Sequence, residues 1–213
     1  YLSQQRWKEA REAITRAPDP GAPEFLLADG LLAMGEARIN DAVAVLTLAA
    51  EAAPGSVKIK LALARALQAR RAFDDALAQI DQASRLAPSS KAVQFEHVRQ
   101  VLLHPQPPEG RWEKALSELA QLQLTDAKDP RVGQLTGVWA MRSGQTDKGL
   151  ELLRIAHNNL DSTDSALMLS EALWALNRRA EAREVLSRWI DTHPDDALAL
   201  AHLLGYRQAT QED

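Results

Sequence analysis

The residues best suited to acid–base or metal chemistry are five histidines, His97, His104, His157, His193 and His202. A helical zinc site of the His-Glu-x-x-His kind needs two histidines four residues apart, so that both imidazoles share one face. No pair here has that spacing, and each histidine is expected to be a surface or partly packed side chain. Cysteine is absent, which removes disulfides, thiolate metal sites and cysteine nucleophiles. There is no glycine-rich phosphate loop, no Gly-x-Ser-x-Gly elbow and no serine with an evident base. The acidic pairs Asp74-Asp75 and Asp195-Asp196 fall where helices should begin, and there carboxylates satisfy free N–H groups and the positive end of the helix dipole. Runs such as Arg178-Arg179-Ala180-Glu181 read as solvated helix faces. The expectation is a chain with no catalytic, cofactor or metal site, and therefore not an enzyme.

Five tryptophans remain: Trp7, Trp112, Trp139, Trp174 and Trp189. Placing them requires the elements that carry them. The 213 residues are 46% hydrophobic, only 5% aromatic, and richest in alanine. Alanine and leucine lose little rotamer freedom in a helix, so the composition favours helix over strand. The net charge of −4 gives no basic excess, which argues against a nucleic-acid partner. No apolar run is long enough to span a bilayer.

The chain repeats itself. Ala42, Leu46, Ala49 and Pro54 recur 34 residues later as Ala76, Ile80, Ala83 and Pro88. Ala115, Leu119 and Leu122 recur at the same interval as Gly149, Leu153 and Ala156. A step of 33 residues carries Gly137, Gly149, Leu153 and Ala156 onto Ser170, Ala182, Leu186 and Trp189. Trp7, Ala10, Ile14 and Ala17 have the internal spacing of Ile39, Ala42, Leu46 and Ala49. Spacings of three and four place these residues on one helical face, and the small ones let neighbouring backbones approach. A single helix pair cannot bury such a face, so successive pairs must stack.

This pattern resembles the tetratricopeptide repeat (TPR) family: a small residue, then a large one, then alanine, large, alanine and proline. Residues 23–56 carry it as Gly30, Ile39, Ala42, Leu46, Ala49 and Pro54; residues 57–90 as Ala64, Phe73, Ala76, Ile80, Ala83 and Pro88. Residues 163–196 carry it as Ser170, Arg179, Ala182, Leu186, Trp189 and Pro194, while 130–162 has Gly149 for an alanine and lacks the proline. The resemblance implies an all-α, right-handed superhelical solenoid of about five to six antiparallel helix pairs, a single domain over 1–213. Its parts are a partial repeat at 1–22, repeats at 23–56, 57–90, 91–129, 130–162 and 163–196, and a terminal helix in 197–213. The third repeat holds five extra residues, taken up by the Pro-rich segment 104–110, a loop or a contact element. Gly144 and Asn177 are placed where a left-handed residue links paired helices. Tyr1 near the middle of a repeat and an opening helix at 197–208 imply that the natural protein is longer.

In this family the first helix of each repeat lines a concave groove, through positions spaced along it. Carried onto this chain they give Leu27, Leu31, Met34, Leu61, Arg65, Gln68, Phe95, Arg99, Leu102, Gln134, Val138, Met141, Leu167, Glu171 and Trp174, with Tyr206 joining from the last helix. That strip implies a protein partner, docked as a peptide or helix. The Lys and Asn that clamp a terminal carboxylate in chaperone-binding members are absent, Leu27/Leu31, Leu61/Arg65 and Leu167/Glu171 standing in their place. Trp189-Ile190-Asp191-Thr192-His193-Pro194 resembles bacterial envelope TPR proteins of exopolysaccharide secretion, implying a periplasmic scaffold, with the cytoplasm as alternative. The other readings left open are the regulatory part of a longer enzyme and a module that dimerises through its terminal helices.

Overall fold

In the computed structural model, the described residues are 21–209 together with Glu9, Arg11, Glu12, Ile14, Arg16 and Asp19. Trp7, Ala10, Ala17 and the polar residues 211–213 lie outside them. Between residues 21 and 209 the chain is all-α, with helices α1 (Pro23–Gly35), α2 (Ile39–Ala52), α3 (Val57–Ala69), α4 (Phe73–Leu86), α5 (Lys91–Leu103), α6 (Arg111–Thr125), α7 (Pro130–Arg142), α8 (Thr146–Asn159), α9 (Thr163–Ala175), α10 (Arg179–Thr192) and α11 (Ala197–Ala209). The odd-numbered helices are the opening (A) helices of successive pairs. Their starts are written in capping chemistry. Ser56, Asp129 and Ser162 accept backbone N–H groups of the first turns of α3, α7 and α9, and Pro23 and Pro130 open α1 and α7 where a missing N–H costs nothing. Pro54, Pro88 and Pro194 each follow a C-cap by one residue and stop α2, α4 and α10.

The helices form two compact units, residues 1–112 and 113–213. In the first, α1 packs on α2 and α3 on α4, and the A helices α1, α3 and α5 also touch in sequence. Ala42, Leu46, Ala49, Ala76, Ile80 and Ala83 are wholly buried, so the repeated small and large residues are the core itself. Burying a leucine or isoleucine contributes about 1.5–3 kcal/mol, and the alanines contribute by letting backbones close on each other. Gly30 shows how close: a Cβ there would stand 2.4 Å from Leu46 Cγ.

The second unit follows the same scheme with α7 on α8 and α9 on α10, and with α7, α9 and α11 in succession. Two glycines face each other between α7 and α8. A Cβ on Gly149 would lie 2.9 Å from Gly137 O and 2.9 Å from Met141 N, and one on Gly137 would lie 3.1 Å from Gly149 O. Gly149 at a position where alanine is usual is thus a closer approach of the same two helices.

The turns within four of the pairs, all but α5–α6, share one geometry. Ala37, Arg71, Gly144 and Asn177 all have left-handed backbone, at φ 58°, 65°, 82° and 59°. At each, the next residue's N–H donates to a carbonyl one helical turn and more behind it, as in Arg38 N to Ala33 O and Gln145 N to Ala140 O, satisfying carbonyls the helix leaves open. Composition pointed to Gly144 and Asn177 alone; Ala37 and Arg71 adopt the same turn without a favourable residue type.

Two histidines depart from expectation. His97 is fully buried in α5, and His104 is buried where α5 ends. Gln106 N donates to His104 Nδ1 at 3.1 Å, which leaves the ring proton on Nε2 facing Asp74 Oδ1 at 3.1 Å. Together with Phe73, whose ring centroid is 5.5 Å away, this ties the start of the Pro-rich connection 104–110 to α4. Asp74 therefore serves a neighbouring element as well as its own helix start.

Candidate partner-binding face

The A helices carry every residue expected to meet a partner, and packing divides them. In the first unit Leu27 and Leu102 are buried, and Met34 and Leu61 are half-buried against the core. Leu31 is 43% exposed, the most open apolar side chain on this face. Phe95 is half-buried.

Arg65, Gln68 and Arg99 are joined in a network that the pattern of residue types did not reveal. Its centre is Glu96, one turn back from Gln100 and only 1% exposed. Glu96 accepts from Arg65 Nε at 2.7 Å, from Arg99 Nη1 at 3.2 Å and from Gln100 Nε2 at 2.9 Å. Arg99 Nη1 also donates to Gln68 Oε1 at 2.7 Å. A carboxylate this deep costs several kcal/mol to desolvate unless charged donors surround it, and two guanidinium groups supply them. The signal in the sequence was a lone acid, Glu96, on a stretch otherwise patterned for burial.

In the second unit Gln134 and Leu167 are buried, and Val138 is half-buried. Met141 is half-buried and lies over Gly149, so its side chain belongs to the α7–α8 packing. Two expected residues do meet. Trp174 of α9 and Tyr206 of α11 stack with ring centroids 4.0 Å apart and planes 5° from parallel. Arg179 lies over the Trp174 ring, 5.6 Å from its centroid, in cation–π geometry. Beside them Glu171 Oε1 stands 3.5 Å from His202 Nε2. The hydrogen bond His202 donates to Glu171 raises the His202 pKa above its ordinary value, against an opposing effect of burial. Burial raises the Tyr206 pKa, partly offset by a hydrogen bond with Ser170.

Trp189 is buried, as its position in the repeat implied, and has a further role. Its indole N–H donates to Asp196 Oδ2 at 2.7 Å, and Thr163 Oγ1 donates to the same oxygen at 2.6 Å. Asp196 Oδ1 accepts from Ala199 N at 3.0 Å, capping α11. One carboxylate thus pins α9, α10 and α11 together, while His193 stacks on Trp189 at 3.8 Å. His157, half-buried nearby, has its pKa lowered by desolvation. Among the described residues no group of three or more His, Cys, Asp or Glu is arranged to hold a metal ion, and no helix is long and apolar enough to cross a membrane.

A tetratricopeptide repeat family model matches residues 31–94. Residues 31–94 carry tetratricopeptide repeats. Solved TPR structures resemble it well beyond the matched segment. A thermophilic TPR protein from Thermus thermophilus has a TM-score of 0.64 at 17% identity, over 88% of this chain and 100% of that one. The Cut9–Hcn1 hetero-tetramer of APC/C gives 0.62 at 15%, over 97% of this chain and 40% of that one. YrrB, a TPR protein with an unusual peptide-binding site, gives 0.50 at 16%, over 92% and 98%. At these identities the likeness is one of fold. No curated protein matches the chain in sequence.

Proposed function

We propose that this TPR chain is a non-catalytic scaffold that holds a peptide or helical segment of a partner protein on the exposed faces of its A helices. The observation that carries this is the Trp174–Tyr206 plate: two large rings from successive A helices, stacked at 4.0 Å and left half-buried at the surface. Aromatic surface of this kind anchors partners because it offers much contact area at little cost in side-chain entropy. Leu31, 43% exposed on α1, is a comparable contact in the other unit. YrrB, of the same fold, is described as having a peptide-binding site. The cysteine-free composition and the segment Trp189–Pro194 support a bacterial assembly or envelope-secretion setting, with the periplasm as the compartment.

A photo-crosslinking amino acid separates the A-helix face from the opposite one. Leu31 and Leu48 are both open, at 43% and 54% exposure, and lie on α1 and α2. Crosslinker at the Leu31 and Trp174 positions should capture the partner in cells, and crosslinker at the Leu48 position should not. Capture at the Leu48 position alone would sink the reading. A second reading is self-association through α11, where Leu200 and Leu204 are 41% and 47% exposed one turn apart. Light scattering at two concentrations, comparing the native chain with Leu204→Glu, decides it.

A further inference from the structure

We infer that the A-helix face of the first unit takes an extended, acidic segment, in which two carboxylate side chains flank an apolar residue. This rests on the A-helix reading above and names the partner's chemistry.

Charge is the first reason. Two guanidinium groups, Arg65 and Arg99, divide the single carboxylate of Glu96 between them, so Arg65 is only partly compensated by it. Arg99 is 16% exposed and its Nη1 is occupied by Gln68 and Glu96, whereas the Arg65 side chain is 56% exposed and presents its charge to solvent. Glu96 holds Arg65 by Nε alone. The end-on edge of the guanidinium, Nη1 with Nη2, makes no bond among the described residues and is the edge that grips a carboxylate in a two-point fork. Anchoring by Glu96 fixes the fork in advance, which lowers the entropy lost on binding.

Spacing is the second. Lys58 is exposed and forms no ion pair among the described residues, and it precedes Arg65 by two helical turns of α3, about 10 Å along the axis. Half-buried Leu61 sits between them on the same stripe, and Phe95 lies one turn before Arg99 on the neighbouring α5. In an extended peptide alternate side chains share a face, so residues i and i+4 span about 13 Å on that face with i+2 between them. An acid–x–apolar–x–acid segment lying along α3 therefore meets a cation, an apolar contact and a second cation in order, the long lysine and arginine side chains spanning the remaining ~3 Å.

The test is a random twelve-residue peptide display library, panned on the intact chain. The inference expects enrichment of Asp/Glu pairs spaced four apart with an apolar residue midway. The best peptide, made with a fluorescein label, should lose about tenfold or more in affinity to Arg65→Gln, since hydrogen bonds to charged groups are of that size. Its binding should weaken as salt rises from low to high, as screening requires. Lys58→Glu, at an exposed position outside the Glu96 network, should also weaken it, and that variant guards against misfolding of Arg65→Gln. Enriched peptides without acids, bound equally by both variants, would overturn the inference and leave the A-helix reading standing. Failure to enrich any peptide, with no crosslinking at the Leu31 position, would overturn both.

Discussion

Gly149→Ala offers the sharpest check on the packing argument, because intrinsic preference and tertiary structure pull in opposite directions. In an exposed helix interior, replacing glycine by alanine stabilises by about 1 kcal/mol. At Gly149 the new methyl would stand 2.7 Å from Met141 Cγ, 2.9 Å from Gly137 O and 2.9 Å from Met141 N. Ordinary van der Waals contact begins near 3.4 Å, so two backbone atoms fall about half an ångström short. Met141 Cγ can swing away; the backbone of α7 can move only if the whole α7–α8 interface opens. Overpacking of that kind costs about 1–3 kcal/mol, and with no compliant partner the upper end applies. Subtracting the helix preference leaves a net loss of about 1–2 kcal/mol. Gly205→Ala in α11 and Gly133→Ala in α7 are the controls, since a Cβ at either meets nothing within 4 Å. Urea titrations followed by circular dichroism should show Gly149→Ala less stable than the native chain and both controls more stable. Met141→Ala combined with Gly149→Ala should restore little, because the clash with Gly137 O remains. A Gly149→Ala chain as stable as Gly205→Ala would refute the account of the α7–α8 approach.

Arg71→Gly should stabilise by about 1 kcal/mol in the same titration, because a left-handed φ of 65° penalises any side chain. Ala37→Gly should do likewise, whereas Gly144→Ala should lose a similar amount. Asp196→Ala removes the α11 cap and the acceptor for Trp189 and Thr163, so a loss of about 3 kcal/mol is expected by thermal melting. His202 has a raised pKa in the folded chain, so its pairing with Glu171 stabilises fully below the ordinary histidine value of 6.5 and is lost as pH rises through the raised value. The stability difference between the native chain and His202→Gln should therefore be larger at about pH 5.5 than at about pH 8.5; an equal difference at both would refute the pairing.

Fold class was legible because it rests on repetition. Ala42, Leu46 and Ala49 recur as Ala76, Ile80 and Ala83, and all six are wholly buried. A periodic signal averages out local ambiguity. The surface of the A helices was less legible, since position in a repeat says which way a residue points but not what its neighbours do. Leu27, Gln134 and Leu167 are covered by packing. Met141 is claimed by the space above Gly149, which only the closeness of α7 and α8 creates. Trp174 and Tyr206 were both named, but their stacking required knowing that α9 and α11 touch. Glu96 escaped altogether, and Asp196 was legible as a helix start but not as a hub, because a carboxylate's value as a hub depends on donors about thirty residues away, as with Arg65 and Thr163. Such long-range polar pairings leave no periodicity to read.

The four left-handed turns have a bearing on how such a chain drifts. Their shape is held by main-chain bonds, so Ala37, Arg71, Gly144 and Asn177 are alike in conformation and unlike in chemistry. A position constrained in this way can change residue type for about 1 kcal/mol and still deliver the following helix in place. Repeats can then lose their common spelling faster than their common form. Ancestry among them is better traced through backbone angles than through letters, and a new side chain, useful or not, can be tried at these corners without disturbing what they join.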